Sequence, residues 1–442
     1  MVLAGPGSGK TFVITHRIQY LIKHLKVDPR HILVVTFSKA AAMEMRERYD
    51  RMEGARGVTF GTFHSVFFAL LKTAYGFQGE QIISDGERFA IMKELMAKNR
   101  LVSEDPNDLA QKLLEEIALL KQDQIRIEHY YPKSAPAEAF RGVYSGYESA
   151  LQEKNKLDFE DMLTLTYELF SQRPDILRAV QNRYRYILID EFQDINRIQY
   201  EIIRMMAGER KNLTVVGDDD QSIYRFRGAR PEIMLHFPKD YPGAAQVLLD
   251  INFRSSSQIV EASAKLIARN KERFQKKFTA NRGKLRPVAI GEFNNPLEEV
   301  LSIIKDLQGY KALGIPFDQV AVLYRTNLQP RLLSEQLMKY AIPFVIKDNI
   351  PNLFEHWIAK DVKAYIRLAL GQGRRADWLR IYNKPNRYIK RESLFSPSLS
   401  IDYLLDYYSD KPYMIDRILE LKWHLKSLSR LPPGKALAHI RG

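Results

Sequence analysis

The stretch Ala4-Gly5-Pro6-Gly7-Ser8-Gly9-Lys10-Thr11 decides how this chain is read. It follows a short apolar run, Met1-Val2-Leu3, and precedes apolar residues at Val13, Ile14, Ile18, Leu21, Ile22 and Leu25. That spacing is a helical stripe, so the glycine-rich segment joins a strand to a helix. Such a loop turns backbone N–H groups inward around an anion, and the dipole of the following helix adds to the attraction. A lysine then reaches the β- and γ-phosphates, and the next hydroxyl ligates Mg²⁺. Lys10 and Thr11 hold those places, while Ala4 stands where the pattern has its first glycine.

Outward from the loop, short apolar runs alternate with helical patterns. Ile32–Phe37 (ILVVTF) and Val58–Phe60 read as strands, and Ala40–Tyr49 and Thr62–Tyr75 as helices. This βαβα order predicts a parallel sheet covered by helices. Strand signals vanish from about Ser84 to Lys156, which reads as a helical insertion. Strands resume at Arg185–Asp190, Leu213–Gly217 and Gln246–Asp250. A second α/β region follows, with strands at Val288–Gly291 and Gln319–Tyr324 and helices at Pro296–Gln308 and Leu328–Tyr340. From Trp357 onward helical patterns dominate.

The strand Ile187-Leu188-Ile189 ends in Asp190-Glu191. Asp190 suits a metal, held directly or through water, and Glu191 suits orienting and deprotonating an attacking water. Together with the phosphate loop, this pair points to a nucleotide hydrolase or a kinase, without choosing between them.

Composition narrows the partners. The 442 residues carry 67 Lys+Arg against 53 Asp+Glu, a net charge of +14. That excess favours a polyanion, nucleic acid first and an acidic membrane surface second. Residues 359–442 alone hold 17 Lys/Arg against 8 Asp/Glu. The absence of cysteine excludes disulfides, thiolate metal sites and cysteine nucleophiles, and it fits a reducing, cytoplasmic setting. No apolar run approaches the roughly 18 residues of a bilayer span, so no membrane association is expected. No secretory leader is visible.

The run after the carboxylates settles the class. Asp190-Glu191-Phe192-Gln193-Asp194 continues to Gln199-Tyr200, and Gly217-Asp218-Asp219-Asp220-Gln221 leads into Tyr224-Arg225-Phe226-Arg227-Gly228. With Thr36-Phe37-Ser38, Gly61-Thr62-Phe63-His64-Ser65, Asp158-Phe159-Glu160-Asp161, Asn252-Phe253-Arg254-Ser255 and Tyr324-Arg325-Thr326-Asn327 in order, the chain closely resembles the UvrD/Rep-type superfamily 1 DNA helicases. The resemblance implies RecA-like P-loop NTPase domains with helical insertions, and an ATP- and Mg²⁺-dependent 3′→5′ helicase or single-strand translocase. It implies that Ala4–Thr11, Phe253 and Arg254 bind ATP and that Thr11 and Asp190 hold Mg²⁺. Lys10, Asp190, Glu191, Gln221 and Arg254 would carry the catalysis, Gln221 as γ-phosphate sensor and Arg254 as γ-phosphate arginine. Phe37, His64, Tyr224, Phe226 and Arg227 would bind single-stranded DNA and its junctions with duplex, since aromatic faces stack on any base.

By the same resemblance, residues 1–84 and 158–251 form the first RecA-like domain and 85–157 its insertion. Residues 252–356 begin a second RecA-like domain, and 357–442 begin the second insertion. Phe253 replaces a usual tyrosine, Phe226 a common tryptophan and Phe12 a common arginine. The glutamine motif ahead of the phosphate loop and the two motifs after the second insertion have no counterpart, so the chain reads as truncated at both ends, its second RecA-like domain incomplete. Loss of an arginine finger removes about 10³–10⁵ in rate in related phosphoryl transfer. The rivals are therefore a catalytically incompetent ATP- and DNA-binding fragment and part of a helicase–nuclease. A small-molecule P-loop kinase is disfavoured, because it needs no DNA track. The sequence names neither a pathway nor a protein partner.

Overall fold

The computed structural model describes residues 1–442 other than 53–55, 104, 348–351, 353, 355 and 442. Two compact units divide between Ala289 and Ile290.

The first unit runs β1 (Val2–Ala4), α1 (Lys10–Lys23), β2 (Ile32–Thr36), α2 (Lys39–Arg51), β3 (Thr59–Thr62) and α3 (Phe63–Tyr75). The insertion helices α4 (Asp85–Lys98), α5 (Pro106–Gln122) and α6 (Ala137–Glu153) follow. Then come α7 (Phe159–Gln172), α8 (Pro174–Arg183), β4 (Tyr186–Ile189), α9 (Arg197–Ala207), β5 (Leu213–Gly217), α10 (Pro231–Asp240) and β6 (Val247–Leu249). The unit closes with β7 (Ile251–Ser256), α11 (Ser257–Ile267) and β8 (Thr279–Arg282).

Strands β1 to β6 form one parallel sheet in the order β3-β2-β4-β5-β1-β6. Successive side chains on a strand point to opposite faces. Leu33, Val35, Ile187, Ile189 and Val215 therefore enter one core with α3, α7, α9 and α10. Their neighbours Ile32, Val34, Leu188 and Val216 enter the other, with α1 and α2. Burial on both faces is why these strands read as unbroken apolar runs rather than alternating ones. The expected α/β class with a parallel sheet and helical insertion is found.

Helices α4, α5 and α6 close over their own core, centred on Met92, Leu113, Ile117, Phe140 and Tyr147. One buried lysine ties this core to the sheet. Lys121 Nζ meets Glu148 at 2.7 Å, Asp158 at 2.9 Å and Asp161 at 2.7 Å. Burial alone would lower its pKa, but the three carboxylates outweigh burial and raise it. Burial and the Asp158 charge push Asp161 up to about 7.

In the second unit, α12 (Pro296–Ala312) packs against α13 (Pro330–Lys339) through Val300, Ile304, Leu333 and Leu337. Helices α14 (Trp357–Ala369), α15 (Arg375–Ile381), α16 (Ile401–Tyr407), α17 (Pro412–Leu428) and α18 (Pro433–Arg441) share a separate core around Ala364, Ile381, Leu404 and Ile418.

Two expected strands are not formed. Val288–Gly291 has no regular structure, and Gln319–Tyr324 is the end of a 3₁₀ turn followed by irregular chain. A strand exists only where a neighbour satisfies its N–H and C=O groups, and among the described residues none pairs with either segment. Ile290 is 91% and Leu323 93% exposed, while Val320 packs against the α12–α13 core. Among the described residues no helix is long and apolar enough to cross a membrane.

Replacing Lys121 by Met leaves buried Asp158 and part-buried Asp161 and Glu148 without their cation. The expected cost is about 3–5 kcal/mol, read as a lower urea midpoint for loss of helical circular dichroism.

Candidate active site

Because all six strands are parallel, their C-terminal ends meet along one edge, where open α/β sheets carry their ligand crevice. Gly5 follows β1, Phe37 follows β2, Asp190 follows β4 and Asp218 follows β5. His64 lies in the first turn of α3, directly after β3. Asn252 on β7 closes the edge past β6.

The phosphate-type loop is shaped by what glycine allows. Gly7 has φ +68° and Gly9 φ +93°. A Cβ on Gly7 would lie 2.6 Å from Arg254 Cβ, and one on Gly5 would lie 2.6 Å from the Phe278 ring. Ala4 is fully buried in the sheet core, so the missing first glycine falls on strand rather than on the loop. Ser8 Oγ donates to Gly5 O at 2.8 Å. Asn252 staples the loop from outside. Its Nδ2 donates to Pro6 O at 2.7 Å, and its Oδ1 accepts from the N–H groups of Arg254 (2.9 Å) and Ser255 (2.8 Å). The Phe253 N–H donates to Gly7 O at 2.9 Å. Phe253 and Arg254 are thus fixed beside the loop by backbone, while their side chains stay exposed.

Behind the loop, Lys10 Nζ donates to Glu191 Oε2 at 2.7 Å. Glu191 sits at φ +50°, a conformation uncommon for a residue with a side chain. The same Oε2 accepts from Gln193 Nε2 at 2.9 Å, and Gln193 Oε1 accepts the Asp218 N–H at 3.0 Å. Gln221 Nε2 donates to Asp218 Oδ2 at 2.8 Å. A continuous chain of polar contacts therefore runs from Lys10 through Glu191, Gln193 and Asp218 to Gln221. Asp190 is buried and its Oδ1 has no hydrogen-bond partner. Burial and the neighbouring Glu191 charge push its carboxyl up to about 6. An orphaned carboxylate oxygen beside a glycine cradle fits a hard divalent cation that takes its remaining ligands from phosphate and water. Thr11, at the start of α1, is the hydroxyl on that side.

Three residues past Gln221 the polar chain meets an aromatic patch. Phe37 and Tyr224 stack at 5.0 Å with 20° between planes. The Arg227 guanidinium lies over the rings of Tyr224 (5.3 Å) and Phe226 (5.5 Å). Phe226 is 68% exposed, which excludes core packing as its role. His64 is held apart from these contacts. Its ring meets Phe159 edge-on at 5.5 Å, and burial lowers its pKa.

The structure adds residues that sequence reasoning passed over. Asn252, Gln193 and Asp218 lay inside quoted motifs without a role. Lys276, Arg273 and Phe278 lay outside every motif. Nothing in the run Lys271, Arg273, Lys276, Lys277 marks which cations turn inward.

Residues 1–242 match the UvrD/REP helicase N-terminal domain, and residues 247–407 match the UvrD-like helicase C-terminal domain. The chain belongs to the UvrD/REP helicase family. Among its relatives, the Bacillus subtilis (strain 168) protein YjcD is 33% identical across 100% of this chain and 60% of that protein. The ATP-dependent DNA helicase Rep of Escherichia coli (strain K12) is 35% identical, across 88% of this chain and 59% of its own length. The ATP-dependent DNA helicase PcrA of Leuconostoc citreum is 34% identical, across 89% and 54%. The chain thus spans little more than half the length of these family members.

The loop geometry carries its own test. Gly7→Ala places a side chain at positive φ against Arg254, at a cost of about 1–3 kcal/mol. Gly243→Ala, where nothing lies within 4 Å of the new methyl, is the control. Urea midpoints should separate the two variants.

Proposed function

We propose that this chain is the ATP- and DNA-binding part of a helicase that moves 3′→5′ along single-stranded DNA. The observation that carries the reading is the polar chain from Lys10 to Gln221, which links a phosphate-type loop to an exposed aromatic and basic patch. A nucleotide hydrolase without a polymer to move along has no use for the second half of that connection. The relatives named as ATP-dependent DNA helicases support the same reading. The proposed subdomains are 1–84 with 158–251 and 252–356 as RecA-like parts, and 85–157 and 357–442 as insertions.

In this reading the triphosphate lies on the N–H groups of residues 5–9 and draws the Lys10 ammonium toward its phosphates. Glu191, freed of that ion pair but still held by Gln193, orients a water and takes its proton. Gln221, with an amide that both donates and accepts, reports the γ-phosphate to Tyr224–Arg227. Arg254 supplies charge to the transferring phosphoryl. Phe253 offers a stacking face for the base without a hydroxyl. Mg²⁺ held by Thr11 and Asp190 would neutralise the phosphate oxygens as charge shifts. Tyr224, Phe226 and Phe37 stack on bases without reading sequence, and Arg227 follows the phosphates.

The first experiment is ATP hydrolysis by the 442-residue chain with and without single-stranded DNA. DNA-stimulated turnover that Glu191→Gln abolishes, while nucleotide binding persists, is the expected result. Hydrolysis by Glu191→Gln at the parent rate would remove Glu191 from the chemistry, and Lys10→Ala should lose nucleotide affinity as well as turnover. For the DNA patch, Phe226→Ala is expected to weaken oligonucleotide binding by about 1–3 kcal/mol, equally on different sequences. Fluorescence anisotropy reads this directly.

A further inference from the structure

The segment between α11 and β8 takes no part in the roles above, yet it holds three carboxylates with two cations. Lys276, whose side chain is wholly buried, meets Asp218 Oδ1 at 2.6 Å and Asp220 Oδ2 at 3.0 Å, and also pairs with Asp219. Arg273 grips Asp220 with two bonds, from Nε at 2.7 Å and from Nη2 at 2.5 Å. The Phe274 N–H donates to Asp219 Oδ2 at 2.9 Å. Three consecutive carboxylates are thus held by one stretch of four residues, Arg273 to Lys276. Burial would lower the Lys276 pKa, but Asp218 and Asp219 outweigh it and keep the ammonium charged.

The contact has a direction. Asp218 gives one oxygen to Lys276 and the other to the amide of Gln221. The orientation of Gln221 is therefore set by Lys276 through a single carboxylate. At its other end the same segment lays the Phe278 ring against Gly5. It continues into β8, which pairs with β7, the strand whose Asn252 holds Pro6. One short stretch thus spans the phosphate loop and the 218–221 loop. Without its cations, three adjacent carboxylates would repel one another and leave the 218–221 loop free to move apart from the phosphate loop.

We propose that Lys276, with Arg273 beside it, is a positioning residue that makes the phosphate loop and the Gln221 loop one body, so that nucleotide binding changes the affinity of the Tyr224–Arg227 patch for single-stranded DNA. The inference rests on the ATP- and DNA-binding reading given above.

The test is the ratio of DNA affinities with and without nucleotide. A labelled oligothymidylate is titrated with the full chain by anisotropy, first alone and then with a saturating non-hydrolysable ATP analogue and Mg²⁺. Binding of a fluorescent nucleotide is measured separately. The parent chain is expected to show a ratio of about fivefold or more. The charge-balanced variant Lys276→Met with Asp219→Asn should still bind each ligand singly, with the ratio falling to about one. Lys276→Arg should restore most of it. A Lys276→Met/Asp219→Asn chain that keeps the parental ratio overturns the proposal. If the balanced variant does not fold by circular dichroism, Arg273→Lys, which keeps the charge but loses the two-point grip on Asp220, is read instead. It should at least halve the ratio, and an unchanged ratio overturns the proposal equally. A parent chain that binds both ligands with no difference in DNA affinity overturns this inference alone. One that binds neither overturns the functional reading and the inference together.

Discussion

The parallel pairing of six strands is the constraint from which the rest of the first unit follows. Parallel neighbours cannot be joined by tight turns, so the chain must cross back over a face each time. Every strand then ends at the same edge. That single consequence gathers residues far apart in sequence, from Gly5 to Asp218, along one edge, and Asn252 of the separate β7–β8 pair joins them through Pro6. It also commits both faces of the sheet to burial, which is why Val34 and Leu188 serve one core while Val35 and Ile189 serve the other.

Gathering strand ends also gathers charge. A protein with a net charge of +14 holds Asp190, Glu191, Asp194, Asp218, Asp219 and Asp220 at one edge. The structure answers with cations placed one by one: Lys10 on Glu191, Lys276 across the three aspartates, Arg273 on Asp220. Asp190 has no such partner, and its raised pKa is the physical mark of that. The same edge therefore contains ion-paired carboxylates, which hold loops in place, and two that lack a cation, Asp190 and Asp194, each with one oxygen unpartnered.

Helical insertions change little in this plan because they bring their own cores. The α4–α6 core closes on itself and touches the sheet region through Lys121 and the N-terminal turn of α7. Arg230, just past the aromatic patch, pairs with Asp123 at the end of α5, so the insertion also braces the patch. The second-unit helices pack, but among the described residues the two apolar segments expected as strands, 288–291 and 319–324, find no strand to pair with. The difference is one of partners. A helix satisfies its backbone within itself, whereas a strand depends on a neighbour.

Much of the candidate site was legible in the sequence, because its residues act through local pattern. The phosphate-type loop needs only glycines, a lysine and a hydroxyl in succession, and Asp190-Glu191 needs only a buried strand before it. The aromatic patch was legible from composition and order, and the exposed Phe226 ring and the Phe37–Tyr224 stack agree with it. Lys276 was not legible. Its meaning depends on three carboxylates more than fifty residues away, and a surface lysine and a buried one are spelled alike. Strand existence at 288–291 and 319–324 was likewise beyond pattern, since β-propensity describes a surface that a neighbour must complete. The sequence by itself determined which segments could be helix, strand and anion loop, because those depend on short-range sterics and periodicity. Only the tertiary structure decided which cation meets which carboxylate and which apolar run becomes a strand, because both are properties of pairs.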